Sequence, residues 1–161
     1  MSGTLDLYIT IYEEENRPSH WALFFDDGSL NDKTLLSVKY DHRSHLKFHT
    51  ETRNPRILYN QDELILVGTF NATDISKVNA IARGIRPEDL HIDRLNCIRY
   101  VRDVLDTLEV NRIVGNEVVY WIQKSFIRAR MEKGEVDYEV ECLVRKRRRD
   151  TPVVITYGDR G

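Results

Sequence analysis

The spacing of hydrophobic positions changes along the chain, and the change separates strands from helices. In "LDLYITIY", Leu5, Leu7, Ile9 and Ile11 alternate with Asp6, Tyr8, Thr10 and Tyr12. That is the period-two pattern of a strand with one buried face. "SHWALFF" is apolar on both faces and predicts a central strand. "DDGS" predicts a turn. "KTLLSVKY" predicts a returning strand and "DELILVGTF" another, with a short strand around "LKFHT" between them. The period then lengthens. "NATDISKVNAIARGI" predicts a helix with Ile75, Val78, Ile81, Ala82 and Ile85 on one face, ended by Gly84 and Pro87. "RLNCIRYVRDVLDTL" predicts a second helix. Its buried face holds Cys97, Val101, Val104, Leu105 and Leu108, and its wet face holds the pairs Arg99–Asp103 and Arg102–Asp106. "NEVVYWIQKSFIRARMEKG" predicts a third helix, long and amphipathic, ended by Gly134. "EVDYEVECLV" alternates again, with Val136, Tyr138, Val140, Cys142 and Val144 on one face, and "PVVITYG" is its expected hairpin partner. Strands, then helices, then a strand pair give an α+β fold rather than a βαβ array.

Composition narrows the class. At 161 residues the chain is expected to form a single domain, 1–161, large enough to bury a core without staples. Hydrophobic residues are 41% and charged residues 31%, with no apolar run of membrane-spanning length. "MSGTLDLYIT" has neither the basic start nor the apolar core of a secretory peptide. Two cysteines make no disulfide framework, so a reducing, cytoplasmic setting is the expectation. Without a CxxC or a Cys/His cluster at ligand spacing, no metal and no cofactor are expected. The formal charge is −2, but it is unevenly spread: "RKRRR", Arg145, Lys146, Arg147, Arg148 and Arg149, is a local basic block.

Cys97 is the first candidate for chemistry. Asn96 before it is a good N-cap, so the thiol lies at a helix N-terminus and points inward. One reading is a small buried apolar residue. The other is a thiolate stabilised by the positive end of the helix dipole. A thiolate nucleophile needs a base. Of the five histidines, His20 alone heads a fully apolar strand, where an unpaired imidazole would be costly. It is either a satisfied strand histidine or the general base for Cys97. His42, His45 and His49 lie in the polar stretch "DHRSHLKFH" and read as solvated, and no carboxylate there completes a metal site. Cys142 sits in the alternating apolar register and reads as a core residue.

"SHWALFF", a returning strand, and much later "RLNCIRYVRDVLDTL" resemble the permuted papain-like fold of lecithin:retinol acyltransferase-like and NlpC/P60-like proteins. More closely, "HWAL" followed by "NC" at a helix start is similar to a family of small fungal proteins, some of which make arginine-containing cyclodipeptides from aminoacyl-tRNA. The resemblance covers roughly residues 5–109 as a papain-like core, leaving 110–161 as a C-terminal elaboration of a helix and a strand hairpin. It implies Cys97 as nucleophile and His20 as base. The third, orienting position falls in "LLSVKY", where relatives usually carry histidine and this chain has Ser37. A serine hydroxyl can accept an imidazole N–H but cannot stabilise an imidazolium as a charged partner does. Asp41 or His42 at the strand end is the alternative.

Three functions follow. In the first, a Cys97 thioester passes its acyl group to an amine, with the backbone N–H groups at Asn96, Cys97 and Ile98 as an oxyanion hole. Aminoacyl-tRNA is the candidate donor and a small molecule or peptide the acceptor. In that reading the basic block 145–149 contacts phosphates. Asp26, Asp27 or Asp41 receives an arginyl guanidinium, with Trp21 as a further substrate-binding residue. The second function is amide or peptide hydrolysis by the same Cys97 and His20. The third is a non-catalytic binding module on the same scaffold, which the Ser37 departure favours. "DDGS" aspartates are also ordinary turn formers, and a basic run is ordinarily a solvated end. Trp121, Phe126 and Ile127 offer apolar surface for a substrate pocket or a homodimer. No membrane partner is expected.

Overall fold

The computed structural model describes residues 3–14, 17–40, 46–54, 63–85, 96–114 and 118–150. Five strands form one antiparallel sheet: β1 (Thr4–Glu14), β2 (Arg17–Asp26), β3 (Lys33–Tyr40), β4 (Leu46–Arg53) and β5 (Glu63–Asn71). Their order across the sheet is β4-β3-β2-β1-β5, which puts the apolar "SHWALFF" strand at the centre. A 3₁₀ turn, Ala72–Asp74, leads into α1 (Ile75–Gly84), and α2 (Asn96–Val110) and α3 (Val118–Asp150) follow. The architecture is α+β, as the order of periods predicted. No helix among the described residues is long and apolar enough to cross a membrane.

Pleating divides the strand residues between two faces. Leu7, Ile9 and Ile11 of β1, Trp21 and Leu23 of β2, and Leu36 and Val38 of β3 point to the helix side. There they pack with Val78 and Ala82 of α1, Val101, Val104 and Leu108 of α2, and Ile127 and Met131 of α3. The intervening residues Tyr12, Ala22, Phe24 and Leu35 form a smaller cluster on the reverse face. Between Leu7 and Tyr8 the β1–β5 register shifts by one residue, so that Leu7 pairs with Gly68 and Tyr8 with Leu66. This bulge keeps both Ile65 and Phe70 in the helix-side core.

The C-terminal elaboration differs from the expected helix and hairpin. Residues 135–144 are not a strand: α3 runs for 33 residues through "EVDYEVECLV" and "RKRRR" without a break. Cys142 therefore lies on a helix and not in a strand register, its side chain falling outside the description, as does the "PVVITYG" segment. Gly134 does not end the helix. A Cβ at that position would stand 3.0 Å from Ile98 Cδ1 and 3.2 Å from Trp21 Cζ2, so the glycine is where α3 comes closest to the body.

Polar contacts fix α3 against α2. Lys124 Nζ donates to Glu109 Oε1 at 2.7 Å, and the Tyr120 hydroxyl donates to Glu109 Oε2 at 2.7 Å. Arg128 pairs with Asp106. The Lys124 hydrogen bond first, and the Tyr120 hydrogen bond second, hold the Glu109 carboxyl below the usual glutamate range. A depressed carboxylate pKa contributes stability above the unfolded value, about 4.3, and loses it as pH falls through the lower folded value. Glu109→Gln is expected to cost less than about 1 kcal/mol at pH 7, since the pair is partly solvated. The gap between wild-type and variant melting temperatures should close as pH drops below about 4. A gap that stays constant down to acid pH would show that Glu109 acts by packing alone.

Candidate functional site

β2 places His20 and Trp21 side by side in sequence and therefore on opposite faces. Trp21 is 1% exposed among the helix-side residues. His20 pairs in register with Tyr12, and its ring packs edge-on to the Tyr12 ring at 5.2 Å. Its Nε2 lies 2.9 Å from Ser37 Oγ, and both side chains are buried. The contact between His20 and Ser37 expected from the sequence is thus present, and it lies on the reverse face.

Cys97 is elsewhere. It is half-buried in the first turn of α2 and packs against the helix-side core. The next residue, Ile98, is 3% exposed and points at the Gly134–Trp21 contact. The sheet itself separates the thiol from the imidazole. The thiol packs on the helix-side core, while the imidazole meets Ser37 on the reverse face. The physical reason is the pleat: the larger apolar body of Trp21 takes the position against the helices, and His20 must turn away. Asn96 is the first residue of α2. Its side chain lies outside the description, and Asp41, His42, His45 and His91 lie outside the described residues.

The aspartates proposed for a guanidinium already hold an internal cation. Lys33 Nζ donates to Asp27 Oδ1 at 2.7 Å and to Ser29 Oγ at 2.9 Å, and stands 3.4 Å from Asp26 Oδ1. Gly28 N–H donates to Asp26 Oδ1, and Ser29 N–H donates to Asp27 Oδ1, each at 2.9 Å. These are turn contacts of the short-range Asx type. Gly28 has φ +85°, a left-handed conformation that favours glycine. Lys33, first, and Ser29 then depress the Asp27 carboxyl well below the usual range. Asp26 and Asp27 shape the β2–β3 turn, and their carboxylates are engaged by Lys33. Trp21 is buried under α3 and offers no surface to a substrate.

The basic block 145–149 occupies the C-terminal end of α3. Cations there are favourable to the helix dipole. Of its side chains the description covers Arg147, which is exposed.

Two features escaped the sequence reading. The first is Glu51 on β4. It accepts a 3.0 Å hydrogen bond from the Tyr12 hydroxyl and has Lys39 at 3.7 Å, His49 at 3.8 Å and Arg53 at 4.0 Å. Arg53 also lies over the Tyr12 ring at 4.4 Å. Alternation within "LKFHTETR" held the signal, because Lys47, His49, Glu51 and Arg53 share a parity. The second is a cleft of about 430 Å³ between the β2–β3 turn and α1. Leu5, Phe25, Leu36 and Ile75 line it with apolar surface, and Asp32, Asn79 and Arg83 give it polar edges.

A family model described as a family of unknown function (DUF6540) matches residues 7–115. That span is about two thirds of the chain, and the chain belongs to this family. It takes in the sheet from Leu7 onward, α1 and α2, and stops short of α3. No curated protein and no solved structure matches the chain.

Proposed function

We propose that this chain is a non-catalytic binding module on an α+β scaffold. The observation that carries the reading is the placement of His20 and Cys97 on opposite sides of the sheet. Thiolate chemistry needs a base within hydrogen-bond reach of the sulfur. The two described histidines, His20 and His49, both stand on the reverse face, His49 paired in register with Ser37. The buried His20–Ser37 hydrogen bond has the character of a satisfied core polar pair, and Ser37 is 2% exposed, which keeps substrate from its hydroxyl. The cleft beside α1 falls in the size range of small-molecule sites, roughly 300–1,000 Å³, and four apolar and eight polar or charged residues line it, a lining suited to a polar ligand. It is the place this reading gives to a ligand.

Alkylation by iodoacetamide tests it. In a Cys142→Ser background the rate at Cys97 is expected to follow the ionisation of that thiol alone. His20→Gln should leave the rate-against-pH profile unchanged. Fast alkylation at neutral pH that His20→Gln slows would restore thioester chemistry, and with it the acyl-transfer and hydrolase readings.

A further inference from the structure

α3 carries two apolar stripes, and the body of the protein uses one of them. Tyr120, Ile127 and Met131 are buried, and with Gly134 they follow helical spacing along the docked face. After Met131 no described residue of α3 is buried. At about 1.5 Å per residue the part after Gly134, to Asp150, extends about 24 Å beyond the docked face. A helical segment of that length is marginal in water unless an apolar face is covered.

The second stripe faces away. Ile122, Phe126, Val136, Val140 and Leu143 are each more than half exposed. With Ala129 and Lys133 they recur at alternating steps of four and three, which is the heptad seam of a coiled coil. The seam covers both the docked and the projecting parts of the helix.

We propose that this seam joins two copies of the chain through an antiparallel pair of α3 helices. The charge pattern selects the occupant and the direction. Lys124, Arg128 and Arg130 are followed by the acidic segment Glu132 to Glu141, and then by the basic block Arg145–Arg149. A parallel pair would set Lys133 against Lys133 and Arg147 against Arg147 inside the seam, and would bring both basic ends together. A two-fold axis passing between Gly134 and Glu135 instead puts the two basic ends at opposite ends of the pair. It sets Phe126 against the other copy's Leu143, Ala129 against its Val140 and Lys133 against its Val136. Lys133 then lies alongside the other copy's acidic segment, and Arg130 faces its Asp137. The projecting half of each helix covers the exposed stripe on the docked half of the other. The interface is isologous and closes at two copies.

Light scattering on the full chain after size exclusion reads the mass, and cysteine pairs read the direction. Wild-type protein at about 50 µM is expected to run at twice the monomer mass. Val140→Asp with Leu143→Asp should give monomer at the same concentration. Both residues are exposed in the single copy, so near-UV circular dichroism of the body should not change. In a Cys97→Ser, Cys142→Ser background, Ala129→Cys with Val140→Cys should oxidise to a covalent dimer, and Val140→Cys alone, whose two copies stand about 16 Å apart along the antiparallel pair, should not. Monomeric wild type, a dimer indifferent to the two aspartates, or self-linking of the single Val140→Cys variant would each overturn the proposal.

Discussion

Trp21→Ala is expected to cost about 3–5 kcal/mol, the largest loss from any single truncation in this chain. The indole is 1% exposed at the centre of the sheet, where it meets α2 through Ile98 and α3 through Gly134. The guanidinium of Arg130 lies 5.6 Å from its ring, adding a cation–π contact. β2 is hydrogen-bonded on both sides, to β1 and β3, so the strand cannot move to fill the space left behind. At roughly 2–4 °C per kcal/mol for a chain of this size, the melting temperature should fall by about 6–20 °C. The adjacent change His20→Ala removes the hydrogen bond to Ser37 on the other face, for about 1–3 kcal/mol. Denaturant melts of both variants check the contrast. A loss below 1 kcal/mol for Trp21→Ala would mean that α3 does not dock on the indole.

Gly134→Val is expected to destabilise by about 1–3 kcal/mol, although it removes a glycine from the interior of a helix. Helix propensity alone predicts a gain of a few tenths of a kcal/mol. Space decides the sign. A single Cβ already meets Ile98 Cδ1 at 3.0 Å and Trp21 Cζ2 at 3.2 Å, and both neighbours are buried side chains with nowhere to retreat. Valine adds two methyl groups at the same place. Ser125→Val, exposed on the same helix, is the control and should stay within about 0.5 kcal/mol of wild type. If Gly134→Val melts at or above the wild-type temperature, α3 is not held at this contact.

The elements with one dominant period were legible from the residues. β1 alternates without exception, and α2 buries Val101, Val104, Leu105 and Leu108 as its spacing requires, so both could be read directly. "EVDYEVECLV" could not, because it satisfies two periods at once. Val136, Tyr138, Val140 and Cys142 alternate as in a strand, while Val136, Val140 and Leu143 also repeat as on a helix. β-branched valines favour the strand reading, and the helix prevails because α3 enters this segment already formed. Gly134 looked like a terminator for the same local reason, and its actual role depends on a tryptophan more than a hundred residues earlier. The candidate site failed at a different level. Each strand and helix carrying His20, Ser37 and Cys97 was placed correctly. Which of two neighbouring residues would face the helices is a packing decision, and "HW" by itself does not record it.

The rims of the sheet carry a consequence for how the protein behaves in a crowded solution. β4 forms one rim and presents Lys47, His49, Glu51 and Arg53 along one side of its length. β5 forms the other, with α3 packed near it and Arg130 paired to Glu63 at its first residue. An open strand edge is a template for runaway growth by strand addition, and charge or a covering helix removes the template. With both rims guarded, intermolecular sheet extension and amyloid-type stacking are disfavoured, and the sheet can stay at five strands when copies of the chain are held close together.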